Sequence, residues 1–202
     1  MRKNEKIAPI ILAAGSSERF GMPKALARFG GKTAIQIAVE NCAGYEMPVV
    51  VLGCDAEQVL PEVPRGTKIV VNSQWREGQL SSLLCALEHV APTAAMLVYP
   101  VDHALLVKKD VAQLVKEYRR RRPAEEILMP RYGKQYGHPI LLAAALRDEL
   151  FRAKTARDVV YRIPERLRVF EAQSAAIYED FHTPETYQEC AQEFLVRKRE
   201  EN

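Results

Sequence analysis

The feature that most limits how this chain can fold is a series of short, nearly uninterrupted apolar runs. Residues 8–14, 48–53, 68–72, 94–99 and 126–129 each read as one strand. Stretches with helical spacing lie between them, at residues 34–42, 79–90 and 109–122, with a brief helix that Asp55 caps and that ends near Pro61. A continuous apolar run is the mark of a strand buried on both faces. Such strands alternating with helices imply a mostly parallel sheet with helices on either side. The expected class is therefore α/β, a three-layer sandwich around a Rossmann-like sheet. Ligands bind such sheets beyond the carboxyl ends of the strands. The loop after the first strand, Asn72 after the third and Asp102 after the fourth are then expected on one edge.

The second half is patterned less cleanly. Residues 138–142 read as a strand with Pro139 near its start, which places it at an edge or as an insertion. Residues 143–151 and 156–162 read as helices, 167–172 as a strand and 175–178 as a further short strand. Thr33 suits the N-cap of the 34–42 helix. Thr183 and Pro184 suit the N-cap and first position of a last helix over 184–198. The chain has 202 residues, enough for one domain with a full core, and shows no repeat or linker. A single domain over residues 1–202 is expected.

The first apolar run breaks into Gly15, Ser16 and Ser17, followed by Arg19, Gly21, Pro23 and Lys24. A tight bend with free N–H groups makes an anion-binding concavity. Gly15 lets the backbone approach a ligand without a Cβ between them. Arg19 adds a planar fork of donors and Lys24 a compact point charge, so a polyphosphate is the natural guest. Pro23 stiffens the chain just before Lys24. Neither G-x-x-x-x-G-K-[ST] nor G-x-G-x-x-G is present, so this is neither of the common phosphate loops. A carboxylate at Asp102 facing such a loop needs a cation between itself and the phosphates. Mg²⁺ takes one or two carboxylates together with phosphate oxygens and water.

Other classes are set aside by composition. The net charge is only +3, too slight to argue for nucleic acid. The basic run Arg119–Arg122 ends a helical pattern before Pro123, without interleaved aromatics, and reads as a solvated helix end. Cys42, Cys54, Cys85 and Cys190 are scattered and form no C-x-x-C pair, which disfavours zinc or redox use. Cys85 falls among apolar residues and reads as a small core hydrophobe, and Trp75 as packing beneath its loop. No apolar run is long enough to span a membrane. Residues 1–6 are charged and lack a signal peptide's apolar stretch, so a cytoplasmic location is expected.

The run Leu12-Ala13-Ala14-Gly15-x-Ser17-x-Arg19-Phe20-Gly21-x-Pro23-Lys24 resembles the signature loop of nucleotidyltransferases with the nucleotide-diphospho-sugar transferase fold. Within them it most resembles the molybdenum cofactor cytidylyltransferase group. Asn72-x-x-Trp75-x-x-Gly78-x-x-Ser81 is similar to a second run of that group, and Gly137-His138-Pro139 to a Gly-x-Pro segment lining the acceptor pocket. Asp180-Phe181-His182-Thr183-Pro184-Glu185 resembles the family's Asp-Ile-Asp-Thr-Pro-Glu, with His182 in place of the second acid. At Asp102-His103-Ala104 the family more often has Asp-Gln-Pro or Asp-Met-Pro.

The resemblance implies transfer of a nucleoside monophosphate to a phosphorylated acceptor, with release of pyrophosphate. Catalytic roles fall to Arg19, Lys24 and Asp102. Nucleotide contacts fall to Leu12, Ala13, Ala14, Gly15, Ser16, Ser17, Arg19, Lys24, Asn72, Gly78 and Ser81, and acceptor contacts to His103, Gly137 and His138. The metal is Mg²⁺, or Mn²⁺, on Asp102, Asp180 and His182. CTP is the expected donor, because Leu-Ala-Ala-Gly accompanies cytidine in these families and Leu-Ala-Gly-Gly guanine, and because the Ala14 methyl crowds a larger base. The implied acceptor is molybdopterin or molybdenum cofactor, with a molybdenum hydroxylase receiving the product. A sugar phosphate or other small phosphate acceptor, and a non-catalytic nucleotide-binding or cofactor chaperone role, are the alternatives.

Overall fold

In the computed structural model, which describes residues 5–200, the apolar runs form the strands of one sheet. Residues 1–4, most of the charged N-terminal segment, lie outside the described residues. The strands are β1 (Ile7–Ala13), β2 (Arg28–Phe29), β3 (Lys32–Thr33), β4 (Val49–Leu52), β5 (Lys68–Val71), β6 (Ala95–Pro100), β7 (Ile127–Tyr132), β8 (Gln135–Tyr136), β9 (Ile140–Leu142) and β10 (Leu167–Glu171). The helices are α1 (Ala34–Asn41), α2 (Ala56–Val59), α3 (Gln79–Leu87), α4 (Lys108–Arg119), α5 (Arg147–Arg152), α6 (Ala156–Tyr161) and α7 (Pro184–Glu200).

The main sheet runs β10-β7-β9-β6-β1-β4-β5, with β8 paired to β7; β2 and β3 form a separate small ribbon. Pairings among β6, β1, β4 and β5 are parallel, as is β7 with β10. β9 is antiparallel to both β6 and β7, and the short β8 is antiparallel to β7. Pro139 lies just ahead of β9, so the insertion loses no ladder donor.

Successive side chains of β1 feed two cores. Ile7 and Ile11 join a cluster with Ile35 and Ala38 of α1, Val111 and Leu114 of α4 and Cys190 of α7. Ala8, Ile10 and Leu12 join Leu83 of α3, Leu150 of α5 and Val160 of α6. The period of two along a strand thus produces the three layers. Thr33 caps α1 as expected, accepting from Gln36 N–H at 3.4 Å while the Gln36 side chain accepts from Thr33 N–H at 3.0 Å. Thr183 accepts from Thr186 N–H at 3.4 Å at the start of α7.

Three expectations change. Residues 175–178 form no strand; Ala175–Ile177 is a 3₁₀ turn, and Ser174 Oγ accepts from Ala176 N–H. An apolar triplet carries no periodicity that separates a strand from one helical turn. The helix read over 143–151 divides into a 3₁₀ turn at Ala144–Leu146 and then α5. The basic run is not simply solvated. Arg121 has a side chain only 4% exposed; it donates to Glu5 Oε2 at 2.8 Å and lies 3.5 Å over the Tyr118 ring. No helix of the described residues is long and apolar enough to cross a membrane.

Candidate active site

The loop after β1 is held from two directions. At its start, Cys54 N–H donates to the Ala14 carbonyl at 3.1 Å. That approach depends on Gly53, where a Cβ would stand 2.4 Å from the Ala14 oxygen. At the bend, Ser17 has φ 52°, a left-handed conformation uncommon for a residue with a side chain. Its carbonyl accepts from Phe20 and Gly21 N–H, and its Oγ accepts from Lys24 N–H at 3.1 Å. Phe20 then turns into the core against Phe181, ring centroids 5.1 Å apart, and Tyr187, 5.4 Å apart. These ring contacts fix the loop relative to the segment that carries Asp180 and His182.

The loop forms one wall of an open cleft of about 630 Å³. Leu12, Ala13, Ala14, Gly15, Ser16, Ser17, Arg19 and Lys24 line it, joined by Gly78, Asp102 and His182. A Cβ on Gly15 would meet nothing within 4 Å, so its bare face opens on the cleft. Arg19 is exposed there. Gly78 has φ 100°, which only glycine adopts readily, and it precedes the first turn of α3.

Lys24, Asp102, Asp180 and His182 form a chain of polar contacts. Lys24 Nζ lies 2.7 Å from Asp102 Oδ2 and 2.5 Å from His182 Nδ1. His182 Nε2 lies 2.9 Å from Asp180 Oδ2. Burial pushes the Asp102 carboxyl up, but the neighbouring His103 and Lys24 outweigh it and hold its pKa below the usual value. One ligand atom from each of Asp102, Asp180 and His182 lies within 4.8 Å of the others. Carboxylate oxygens with one imidazole nitrogen suit Mn²⁺, and suit Mg²⁺ completed by water and phosphate oxygens. The donor set therefore fits a divalent cation, with His182 contributing nitrogen where the resemblance implies oxygen.

Other expected residues fall elsewhere. Asn72 is buried, and its amide is committed: Nδ2 donates to Ser81 Oγ at 2.9 Å and Ser82 Oγ at 3.0 Å, and Oδ1 accepts from Gln74 N–H. Ser81 Oγ donates to backbone carbonyls of Gln74 and Gly78. Both residues face a second pocket behind the loop and brace the turn at residues 74–78. His103 is 4% exposed, and neither it, Gly137 nor His138 lines the main cleft. Gly137 serves packing, since a Cβ there would come 2.1 Å from the Ile177 carbonyl.

The cleft also holds residues to which the sequence assigns no part in a site. Trp75 lines it rather than only packing beneath the loop, with the Arg76 guanidinium 4.4 Å over its ring; Asp55, Gln79 and Ser82 are there too. The signal for Arg76 was its place between Trp75 and Gly78, a position the motif leaves open. The Ala14 methyl is turned toward Gly53, where an added Cβ would lie 2.8 Å from it.

Known proteins are similar to this chain in sequence and in fold. Residues 9–171 match the MobA-like NTP transferase domain. The "Probable molybdenum cofactor guanylyltransferase" of Pyrococcus horikoshii is 25% identical over 166 residues, 81% of this chain and 82% of that protein. The bifunctional protein GlmU of Alkaliphilus metalliredigens is 28% identical over 154 residues, 74% of this chain but 33% of the relative. The matched part of the chain thus spans about a third of that protein's length. The crystal structure of Rv0371c from Mycobacterium tuberculosis superposes with a TM-score of 0.79 at 26% identity, covering 93% of this chain and 98% of that one. A second structure of Rv0371c is a complex with manganese, with a TM-score of 0.75 at 24% identity over the same shares. Because the matched domain runs from β1 to the end of β10, this chain belongs to the MobA-like NTP transferase domain family of nucleotidyltransferases.

Proposed function

We propose that the chain moves a nucleoside monophosphate from a nucleoside triphosphate to a phosphorylated small-molecule acceptor, releasing pyrophosphate, and that residues 1–202 act as one domain. The observation that carries this reading is the meeting, in one cleft, of the loop backbone at Gly15–Ser17, Lys24 and Asp102. Nucleotidyl transfer asks a protein mainly for positioning and charge stabilisation. The loop N–H groups, Arg19 and Lys24 receive the triphosphate. Asp102, Asp180 and His182 hold the cation, which when bound supplies charge neutralisation at the phosphates. Manganese in the Rv0371c complex supports a divalent ion here. The sheet order puts Gly78 and Trp75 on the β4–β5 side of Lys24 and His138 on the β9 side. The base accordingly lies toward α3 and the acceptor toward β9.

Molybdopterin or its molybdenum form is the proposed acceptor, supported by the named relative in Pyrococcus horikoshii. CTP is the proposed donor on the resemblance of Leu12–Gly15. The Ala14 methyl adds little against a larger base, because it faces Gly53. GTP is the second reading, favoured by the guanylyltransferase name of that relative. Pyrophosphate release tests both, with CTP, GTP, ATP and UTP against molybdopterin and a sugar 1-phosphate, in Mg²⁺ or Mn²⁺. The reading expects release only with molybdopterin present, and with CTP above GTP. Release with the sugar phosphate alone would replace the acceptor; no release with any pair would remove the activity.

A further inference from the structure

We infer that the Lys24 ammonium is the resident counter-ion of the cation site, so that lysine and divalent metal compete there until a triphosphate draws the lysine away. The inference rests on the reading of the cleft given above and concerns the order in which its ligands bind.

The ammonium touches Asp102 Oδ2 at 2.7 Å and His182 Nδ1 at 2.5 Å. A metal on Asp102, Asp180 and His182 would need lone pairs from these same side chains, which lie within 4.8 Å of one another. A lone pair that accepts a hydrogen bond from an ammonium is not free for a metal. The lysine is also held in place. Its backbone N–H donates to Ser17 Oγ, Pro23 fixes the chain before it, and its ammonium lies 5.7 Å from the Phe181 ring centroid. The Lys24 and Asp102 side chains are only 13% and 18% exposed, so water screens the pair weakly. Asp102 is thus neutralised within the protein before any metal arrives.

A triphosphate in the cleft changes this balance. Its oxygens offer an ammonium more negative charge than one carboxylate, and a lysine has a flexible stem with which to reach them. Moving Lys24 to phosphate uncovers Asp102 and His182, and the metal then meets both protein and phosphate oxygens. Metal and nucleotide therefore bind with positive coupling, which is reciprocal by linkage. The protein is kept from holding metal tightly in the absence of its substrate.

The test is a Mn²⁺ titration of nucleotide-free protein by calorimetry and by loss of the free-ion paramagnetic signal. Lys24→Met keeps the stem length and removes the charge. It should bind Mn²⁺ about ten-fold or more tightly than wild type, the scale of one charge-assisted hydrogen bond released. Lys24→Arg keeps a cation and should stay near wild type. A gain of affinity does not arise from misfolding, and melting curves check that each variant is folded. Unchanged or weaker Mn²⁺ binding in Lys24→Met overturns the competition, as does equally tight binding in Lys24→Arg. Adding Asp102→Asn separates this from failure of the site itself. If it abolishes Mn²⁺ binding while Lys24→Met gains nothing, the site stands and only the competition falls. If Mn²⁺ binding ignores Asp102→Asn, the ion lies elsewhere and both readings fall.

Discussion

Gly15 and Gly53 show how differently two glycines serve one loop. At Gly15 an added methyl would meet no protein atom within 4 Å, whereas at Gly53 it would stand 2.4 Å from the Ala14 carbonyl oxygen. Gly15→Ala should leave the melting temperature unchanged and weaken triphosphate binding, because the methyl enters the cleft. Gly53→Ala should destabilise by about 1–3 kcal/mol, the range for overpacking, and also weaken binding by displacing the loop. Melting curves with CTP and GTP calorimetry on both variants check the contrast; equal stability losses would contradict it. Gly15 was legible because a glycine ending an apolar run announces a bend. Gly53 was not, since its requirement comes from β4 lying beside β1. The bracing role of Asn72 and Ser81 is hidden for a related reason. The resemblance implies nucleotide contacts for them, and only the folded turn shows their polar atoms engaged with Ser82, Gln74 and Gly78.

Among the elements, helix α4 carries the clearest lesson about charge. Arg120 and Arg121 are neighbours in one basic run, yet the Arg120 side chain is 56% exposed and that of Arg121 only 4%. Arg121 donates to Glu5 Oε2 and the Tyr118 carbonyl, while Tyr118 OH donates to Glu5 Oε1. The end of α4 is thereby tied to the residues just before β1. Arg121→Ala should cost about 3 kcal/mol, because it leaves Glu5 partly buried without its charged partner. Arg120→Ala should cost under about 0.5 kcal/mol, as exposed pairs do. Urea unfolding of the two variants decides this, and equal midpoints would contradict it. The parallel strands were legible because a strand buried on both faces must be continuously apolar. The fate of Arg121 was not, since Glu5 lies far away in sequence. The reversed direction of β9 was likewise hidden, because no local pattern encodes which neighbours a strand selects.

At the scale of the whole molecule, two imidazoles, His103 buried and His138 partly buried, lie at the seam where β9 is inserted beside β6. His103 follows β6 and His138 precedes β9, and their ring centroids are 5.2 Å apart. Neither Nδ1 has a hydrogen-bond partner among the described residues. The 3₁₀ turn at Ala175–Ile177 covers the seam, with His138 N–H donating to the Ile177 carbonyl at 2.7 Å. Burial lowers the His103 pKa against the opposing pull of Asp102. Burial, then the neighbouring His103, lowers His138 to about 4 from 6.5. Above pH 6.5 His138 is neutral in folded and unfolded chains, so it contributes no pH dependence. Between 6.5 and about 4 the unfolded chain takes a proton that the folded chain refuses, and stability falls as pH falls. The loss attributable to His138 reaches about 3 kcal/mol near pH 4. Asp102 does not confound this window. Despite the upward push of burial, its carboxyl is held below 3.8, so it releases its stabilisation only in stronger acid. His138→Gln removes that titrating group from the seam and should flatten the decline, leaving only the share due to the lowered His103. Urea unfolding of both proteins at intervals from pH 7.5 to about 4.5 measures the difference. Parallel stability profiles would show that the seam does not exclude protons and that the acid sensitivity belongs to another part of the fold.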